Sequence, residues 1–268
     1  METREIINRY INLNDFQKPE WKDIIYEMHT LMKVKKNKIL EFSHCTDRKG
    51  FLHRAEIESY KHWEYPWIIK YANFKSASKI LDCGCGRGML QFYLATKGHK
   101  VTSVDISTLK PKYIKKFWKF IKKYKLPFNE NPSLAMNKLA KRYNTSIDFH
   151  VANITNLPFE DETFDYVYSI SVLEHMEEGE DIMAIKEMAR VLKKNGLLLA
   201  TVDYSPKKIK RKSYTKEDIL NLIKASQLSF NSEYKYDIED FENHLKELAL
   251  FFKKDICEVS TAGFLLKK

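Results

Sequence analysis

The chain of 268 residues is basic, with 46 lysine and arginine residues against 36 aspartate and glutamate residues and a formal net charge of +10. It has no apolar run long enough to cross a membrane, no signal-peptide pattern after Met1, and four cysteines without a disulfide framework. These features predict a cytoplasmic protein without a transmembrane segment, built as one large domain or one domain with attachments. The positive charge favours an anionic substrate or surface.

Residues 1–75 are predicted to form a helical lead-in. Apolar side chains recur at helical spacing from Glu20 to Met32, which predicts one buried helix face. A second segment contains Glu64-Tyr65-Pro66-Trp67, where Pro66 can occupy the first turn of a helix that reaches towards Ala72. Trp63, Tyr65 and Trp67 either pack this helix onto a sheet or help to cover a ligand pocket.

A glycine-rich turn then joins a predicted strand at residues 79–81 to a predicted helix at residues 89–95. Gly84, Gly86 and Gly88 lack Cβ atoms, so the turn can bend sharply and let a ligand touch the backbone. The helix that follows offers unpaired N–H groups to an anionic group. Strand, turn and helix predict the first half of a nucleotide-binding α/β unit, with an ordinary tight turn as the alternative.

The spacing within this turn limits its chemistry. Gly88 falls one position too early for the dinucleotide fingerprint G-x-G-x-x-G, in which position 89 would be glycine instead of Met89, and this disfavours a nicotinamide cofactor. Cys83 and Cys85 are closer in sequence than metal-binding cysteines usually are and lack partner ligands, so no metal is predicted.

A second strand, predicted over residues 100–107, carries Asp105 near its end, roughly twenty residues past the glycine turn, where a carboxylate can accept both hydrogen bonds of a ribose diol. A helix cap is the alternative role for Asp105. Residues 112–125 predict a basic amphipathic helix. It is either a crossover helix with a solvated lysine face or a docking surface for phosphates, lipid headgroups or nucleic acid. A short helix is predicted at 133–143.

Three more strands are predicted at residues 147–151, 164–170 and 197–202, with a helix at 181–192. Glu174 and His175 follow the fourth strand, at the edge of a parallel sheet where ligands bind. His175 titrates near neutral pH and could accept a proton from a hydroxyl or an amine. Alternatively, it caps a helix or orients a loop.

The last part of the chain begins with a basic cluster at residues 207–212, which is either a solvated loop or a contact for an anionic ligand. Thr215 to Asp218 has the form of a capping box and predicts a helix that ends at Ala225. A strand at residues 228–236, a helix at 240–252 and a strand at 256–266 are predicted to follow.

Four motifs together resemble those of the class I S-adenosylmethionine (SAM)-dependent methyltransferases. In order, they are the D-x-G-x-G-x-G turn at 82–88, Asp105, the stretch 153–159, and the V-L-E-H run at 172–175. The stretch 64–67 ahead of them resembles the lead-in of members found with sugar and surface-polymer pathways, in which the lead-in covers the SAM pocket. The resemblance covers residues 76–204 strongly and the remainder loosely. It implies an α/β fold with a doubly wound, seven-stranded, mostly parallel sheet and an antiparallel last strand. The lead-in at 1–75 would precede a methyltransferase domain at 76–268, with a SAM-binding core at 76–204 and acceptor-side elements at 205–268.

The resemblance also implies roles for individual residues. Asp82 would meet the ammonium of SAM, and Asn153 stands where the family has an aspartate that binds the adenine amino group, a bond that an amide oxygen can also accept. Glu174 and His175 would be catalytic. The implied cofactor contacts are Asp82, Gly84, Cys85, Gly86, Gly88, Asp105, Ile106, Asn153, Ile154 and Ser169. The implied acceptor contacts are Tyr65, Tyr204, Lys207 and Arg211, with Lys208 beside them.

The activity implied is transfer of a methyl group from SAM to oxygen or nitrogen of a small anionic acceptor, such as a phosphorylated or glycan-linked metabolite. Such a transfer depends mainly on alignment, because the leaving group is already activated. One alternative is an RNA methyltransferase, supported by the charge and by Phe117, Trp118 and Tyr124 as stacking groups. Another is a SAM-binding subunit without activity that supports a partner.

Overall fold

The computed structural model describes residues 6–31, 60–86, 88–106, 136–137, 140–141, 143–209, 213–230, 233–252, 254 and 257–268. Within these ranges the strands are β1 (Asn8–Tyr10), β2 (Lys79–Cys83), β3 (Lys100–Asp105), β4 (Asp148–Val151), β5 (Phe164–Ile170), β6 (Leu192–Tyr204), β7 (Ser229–Phe230), β8 (Tyr234–Lys235) and β9 (Ser260–Lys267). The α-helices are α1 (Pro19–Leu31), α2 (Lys61–Ala72), α3 (Leu90–Thr96), α4 (Glu180–Val191), α5 (Lys216–Ser226) and α6 (Phe241–Phe251). Arg87, Arg211, residues 112–125 and most of the helix predicted at 133–143 lie outside the described ranges.

One mixed sheet organises the described chain, with strand order β4-β3-β2-β5-β6-β9-β1-β8 and β7 paired to β9. The five strands from β4 to β6 are parallel, and β9 runs antiparallel to β6. Alternate side chains of β2 enter two separate apolar layers: Ile80 packs with α1, α2 and α3, and Leu81 packs with α4 and α5. The prediction of a doubly wound, mostly parallel α/β sheet is confirmed. The strand order reverses at β2, which lies between β3 and β5, and such switch points form ligand sites.

The antiparallel edge of the sheet differs from the prediction. The strand predicted at residues 228–236 is two short strands, β7 and β8, and β1 lies between β9 and β8. Asn8 holds β1 in place, since its side-chain oxygen accepts a bond of 2.8 Å from Leu265 N–H. The described sheet therefore has nine strands rather than seven, because part of the lead-in joins it and one predicted strand is divided into two.

The rest of the described lead-in is anchored by polar contacts. Trp63 donates from its indole nitrogen to Asp15 over 2.7 Å, and Tyr93 of α3 donates to Glu27 of α1 over 2.6 Å. The helix α2 begins at Lys61, so Pro66 lies inside it and not in its first turn as predicted. Glu64 N–H still has a helical partner in the Tyr60 carbonyl.

The capping box at Thr215 and Asp218 is confirmed, with both of its reciprocal bonds present. No helix in the part of the chain that the structure describes is both long enough and apolar enough to cross a membrane.

Candidate functional site

The glycine turn after β2 is fixed by its backbone. Gly84 and Gly86 have φ values of +80° and +49°, which residues with a Cβ rarely adopt. The N–H groups of Gly84 and Cys85 both donate to the Val104 carbonyl, over 2.8 and 3.0 Å, and Gly88 N–H donates to the Cys85 carbonyl over 2.9 Å. The turn is thus hydrogen-bonded to β3 as well as extending from β2.

Space around the three glycines is unequal. A Cβ on Gly84 would lie 2.6 Å from both methyl groups of Val172, and one on Gly88 would lie 3.2 Å from the Tyr65 hydroxyl. A Cβ on Gly86 would meet within 4 Å, among the described residues, only the Asp105 Oδ2 atom at 3.9 Å. The turn is therefore enclosed by Val172 and Tyr65 but open beside Gly86, where a ligand can reach the backbone.

Asp105 faces this opening. Its Oδ2 atom accepts a hydrogen bond of 2.7 Å from Gly86 N–H, so the carboxylate is held against the turn from the neighbouring strand. The side chain remains partly exposed. A carboxylate beside an open glycine backbone fits a ligand with a diol, which supports the binding prediction over the helix-cap alternative.

Asp82 is the buried carboxylate of the site, with 5% of its surface exposed. Burial is the main reason that the pKa of Asp82 is raised to about 8; the nearby charge of Asp105 acts in the same direction, and a bond of 2.8 Å from the Tyr168 hydroxyl and the charge of Lys61 act against it. Near neutral pH this side chain carries a proton for much of the time in the unliganded protein, and an approaching ammonium group would favour its ionised form.

The other predicted cofactor residues differ in accessibility. Asn153 is partly exposed, and its side-chain oxygen accepts a bond of 3.2 Å from Thr155 N–H, which leaves that oxygen a second lone pair. Ile106 is partly exposed, whereas Ile154 is buried in the apolar layer under α4. Ser169 is fully buried and donates to the Cys83 carbonyl over 3.1 Å, so it joins the ends of β5 and β2 and offers a ligand no surface.

Glu174 and His175 lie in a single 3-10 turn after β5 but in different surroundings. His175 is exposed, and Glu174 is 2% exposed. Burial and the neighbouring Asp203 raise the pKa of Glu174 to about 8. Its Oε1 atom accepts a bond of 3.3 Å from Asp203 N–H, and its Oε2 atom has no hydrogen-bond partner among the described residues.

A third buried carboxylate, Glu64 of α2, was missed by the sequence analysis. Its Oε1 atom accepts bonds of 2.6 Å from the hydroxyls of Ser171 and Thr201, and its Oε2 atom is 2.9 Å from Lys61 Nζ. Ser171 has a positive φ of 52°, a strained conformation at the end of β5. The one signal in the sequence was an acid in an otherwise apolar run, His62 to Ile69.

Of the predicted acceptor contacts, the structure brings Tyr65 to the glycine turn but not Tyr204. Tyr204 is 1% exposed, and its hydroxyl donates to the Tyr236 carbonyl, so it has no free surface for an acceptor. Lys207 and Lys208 are exposed beyond β6, with Lys208 Nζ 3.4 Å from Asp218. Arg211 lies outside the described residues.

Comparison with known proteins agrees with this geometry. Residues 81–200, from β2 through most of β6, match the family model described as a methyltransferase domain. The chain has a class I methyltransferase domain. The glycine turn, Asp105 and Glu174 all lie within the matched part of this domain.

Two relatives and one solved structure illustrate the similarity of the methyltransferase domain. An uncharacterised Methanocaldococcus jannaschii protein is 32% identical over 67% of this chain and 59% of its own. A ubiquinone biosynthesis O-methyltransferase of Rhizobium leguminosarum is 27% identical over 54% of this chain and 48% of its own. The chain thus spans about half the length of these relatives.

The solved structure is that of a TehB-like SAM-dependent methyltransferase from Corynebacterium glutamicum. It is similar with a TM-score of 0.50 and 17% identity over 81% of this chain and 92% of that one. At this identity the similarity shows the fold alone, and it is the fold that the described sheet and helices form.

Proposed function

We propose that the protein transfers the methyl group of SAM to an oxygen or nitrogen atom of a small molecule. The observation that carries this proposal is the hydrogen bond of 2.7 Å between Gly86 N–H and Asp105 Oδ2, which puts an open backbone and a carboxylate side by side. The family model that covers these residues supports SAM as the ligand, and the O-methyltransferase among the relatives supports a small-molecule acceptor.

Different residues around the turn would bind different parts of SAM. Gly84, Gly86 and Gly88 give its amino acid end access to the backbone, and Asp82 and Asp105 provide carboxylates for its ammonium and its ribose. Asn153 would accept a bond from the adenine amino group. SAM supplies an already activated methyl group, so the protein has mainly to align the nucleophile with it and to exclude water.

The acceptor is proposed to carry an anionic group. Lys207 and Lys208 are exposed just beyond the carboxyl end of β6, and Arg211 continues the same basic cluster in sequence. Lysines at this edge can meet a phosphate or carboxylate while the reacting atom lies deeper, near the turn that carries Glu174.

The decisive experiment combines calorimetry with an untargeted assay. SAM is titrated into the protein, and the protein is then incubated with methyl-labelled SAM and a metabolite extract, whose labelled products are separated by anion exchange. We expect binding and a labelled anionic product, both lost in Gly86→Val. Absence of SAM binding would overturn the proposal. A labelled cationic product would overturn the anionic acceptor. If total RNA incubated in parallel with the protein and labelled SAM acquired the label, that would favour an RNA methyltransferase. Binding without turnover would favour a partner-supporting subunit.

His175 can be tested separately, because it is exposed at the end of β5. If it accepts or positions a proton, His175→Ala should lower the turnover of the labelled acceptor more than it lowers SAM affinity. Unchanged turnover would exclude His175 from catalysis.

A further inference from the structure

Glu174 is buried with one oxygen unused. It is 2% exposed, its Oε1 atom accepts one bond from Asp203 N–H, and its Oε2 atom has no hydrogen-bond partner among the described residues. Burying an ionised carboxylate without partners is costly, so a buried group of this kind holds a proton or awaits a ligand.

The groups that face Glu174 come from three segments. Lys61 and Glu64 approach from α2, Asp203 from β6, and Tyr214 from the segment after β6, with its hydroxyl donating to Asp181 over 2.6 Å. Among the described residues that act on Glu174, Lys61 carries the positive charge, and its ammonium is already paired with Glu64. This excess of acid, added to burial, is why the pKa of Glu174 is raised to about 8.

Glu174 is also linked to the donor side of the site. Lys61 lowers the pKa of both Glu174 and Asp82, so one ammonium acts on both carboxylates. Asp82 lies opposite Tyr168 in the parallel register of β2 and β5, and Glu174 follows β5. A further positive charge bound beside the glycine turn would act on Glu174 in the same direction as Lys61.

We propose that Glu174 is the proton acceptor of the methyl transfer and that it ionises in response to the sulfonium charge of bound SAM. This inference rests on the proposed function and specifies the acceptor, which must bear a hydroxyl or N–H group at the reacting atom. The lone pair of that atom bonds to the methyl carbon, the carbon–sulfur electron pair passes to sulfur to give a neutral thioether, and the released proton passes to Glu174. Glu174 thus becomes an ionised carboxylate, able to accept a proton, when the methyl donor SAM is bound.

The test measures proton release without any turnover. SAM, S-adenosylhomocysteine and sinefungin, which carries an amine in place of the sulfonium, are titrated by calorimetry at pH 7.5 in phosphate and in Tris, whose ionisation enthalpies differ. A fall of about one unit from a pKa of about 8 releases about half a proton at this pH. We expect SAM and sinefungin to release about that much more than S-adenosylhomocysteine. The amino acid end, which all three ligands share, accounts for proton release by Asp82 that is common to them, and the Glu174 variant below separates any remaining release by Asp82 from that by Glu174.

Variants then assign the released proton. Glu174→Gln should abolish the difference between SAM and S-adenosylhomocysteine, and Asp203→Asn should reduce it, because removing the like charge lowers the resting pKa of Glu174. The exposed Glu178→Gln, on the same segment, should retain it. Equal proton release by the two ligands in the wild-type protein would overturn the inference without any variant, as would a difference that survives in Glu174→Gln. If no ligand binds at all, it is the proposed function that fails.

Discussion

The donor side and the acceptor side of this site are held together by different kinds of contact. On the donor side, the glycine turn and Asp105 belong to one strand–turn–helix–strand unit, and Gly86 bonds to a residue 19 positions away. On the acceptor side, Glu64 is held by Ser171 and Thr201, which are 107 and 137 positions away. The contact between the glycine turn and Asp105 is therefore made within a short segment, whereas the contacts of Glu64 exist only once distant segments have packed.

The largest effect should come from breaking the acceptor side at Glu64. Glu64→Ala leaves two hydroxyls and the Lys61 ammonium without their partner in a buried place, so the free energy of unfolding should fall by about 3–5 kcal/mol. Urea unfolding measures this change. The control is Glu20→Ala on α1. It breaks a half-exposed ion pair with Lys70, which lies on α2 as Glu64 does, and it should lower the free energy of unfolding by less than about 1 kcal/mol. Equal losses of unfolding free energy in Glu64→Ala and Glu20→Ala would contradict the conclusion that buried contacts of Glu64 hold the acceptor side together.

The donor side should respond in binding rather than in folding. Gly86→Val fills the opening beside Asp105, so SAM affinity should fall at least about 100-fold, or about 2.7 kcal/mol, as measured by calorimetry. Gly98→Val is the matched control, since Gly98 also has a positive φ, of 87°, and no described residue lies within 4 Å of its Cβ position. It should strain the backbone similarly and leave affinity unchanged. A Gly86→Val variant with wild-type affinity would remove the turn from the donor site.

A smaller loss is expected at Asp105. Asp105→Ala removes a charged hydrogen-bond acceptor from the proposed ribose contact and from Gly86 N–H, so SAM affinity should fall at least about tenfold, or about 1.4 kcal/mol. Asp148→Ala, on the adjacent strand β4 and largely exposed, serves as the control. Equal dissociation constants for Asp105→Ala and the wild type would leave Asp105 only a role in holding the turn.

The smallest effect concerns the pH dependence of stability on the donor side. The native pKa of Asp82, about 8, lies above the unfolded value near 3.9, so the native state binds the extra proton between these values. That contribution is complete below about pH 4 and is lost as the pH rises to about 8. Between pH 5.5 and 6.5 this proton should make the free energy of unfolding of the wild type fall by up to about 1.4 kcal/mol. Asp82→Asn cannot bind it, so this part of the fall should be absent in the variant. Identical slopes in urea unfolding would show that Asp82 is ionised in the native protein.

What the sequence predicted follows the same division. The glycine turn, the position of Asp105 and the capping box at Thr215 were predictable because each depends on residue types at short, fixed spacing. Helix periodicity likewise placed α1, predicted at 20–32 and found at 19–31. These features depend on local backbone requirements, which the types of neighbouring residues determine.

The features that were not predicted depend on partners far apart in sequence. Nothing near Glu64 specifies that the hydroxyls of Ser171, just after β5, and Thr201 of β6 will reach it. Likewise, nothing near Tyr204 specifies that its hydroxyl will meet the carbonyl of Tyr236. The entry of β1 into the sheet depends on β9, near the other end of the described chain. Side-chain burial and strand order are properties of the assembled sheet, which short-range patterns do not encode.

The place of β1 beside β9 also governs when the fold can be completed during synthesis. Asn8 and Leu265, which bond across this pair, are 257 residues apart. Parallel strands β2 to β6 can associate as they leave the ribosome, but β1 and its other neighbour β8 can join this sheet only after β9 is made, because β9 lies between β6 and β1. We therefore expect a nascent chain that stops before β9 to leave its amino-terminal segment open to proteolysis and free to pair with the sheet edge of another copy.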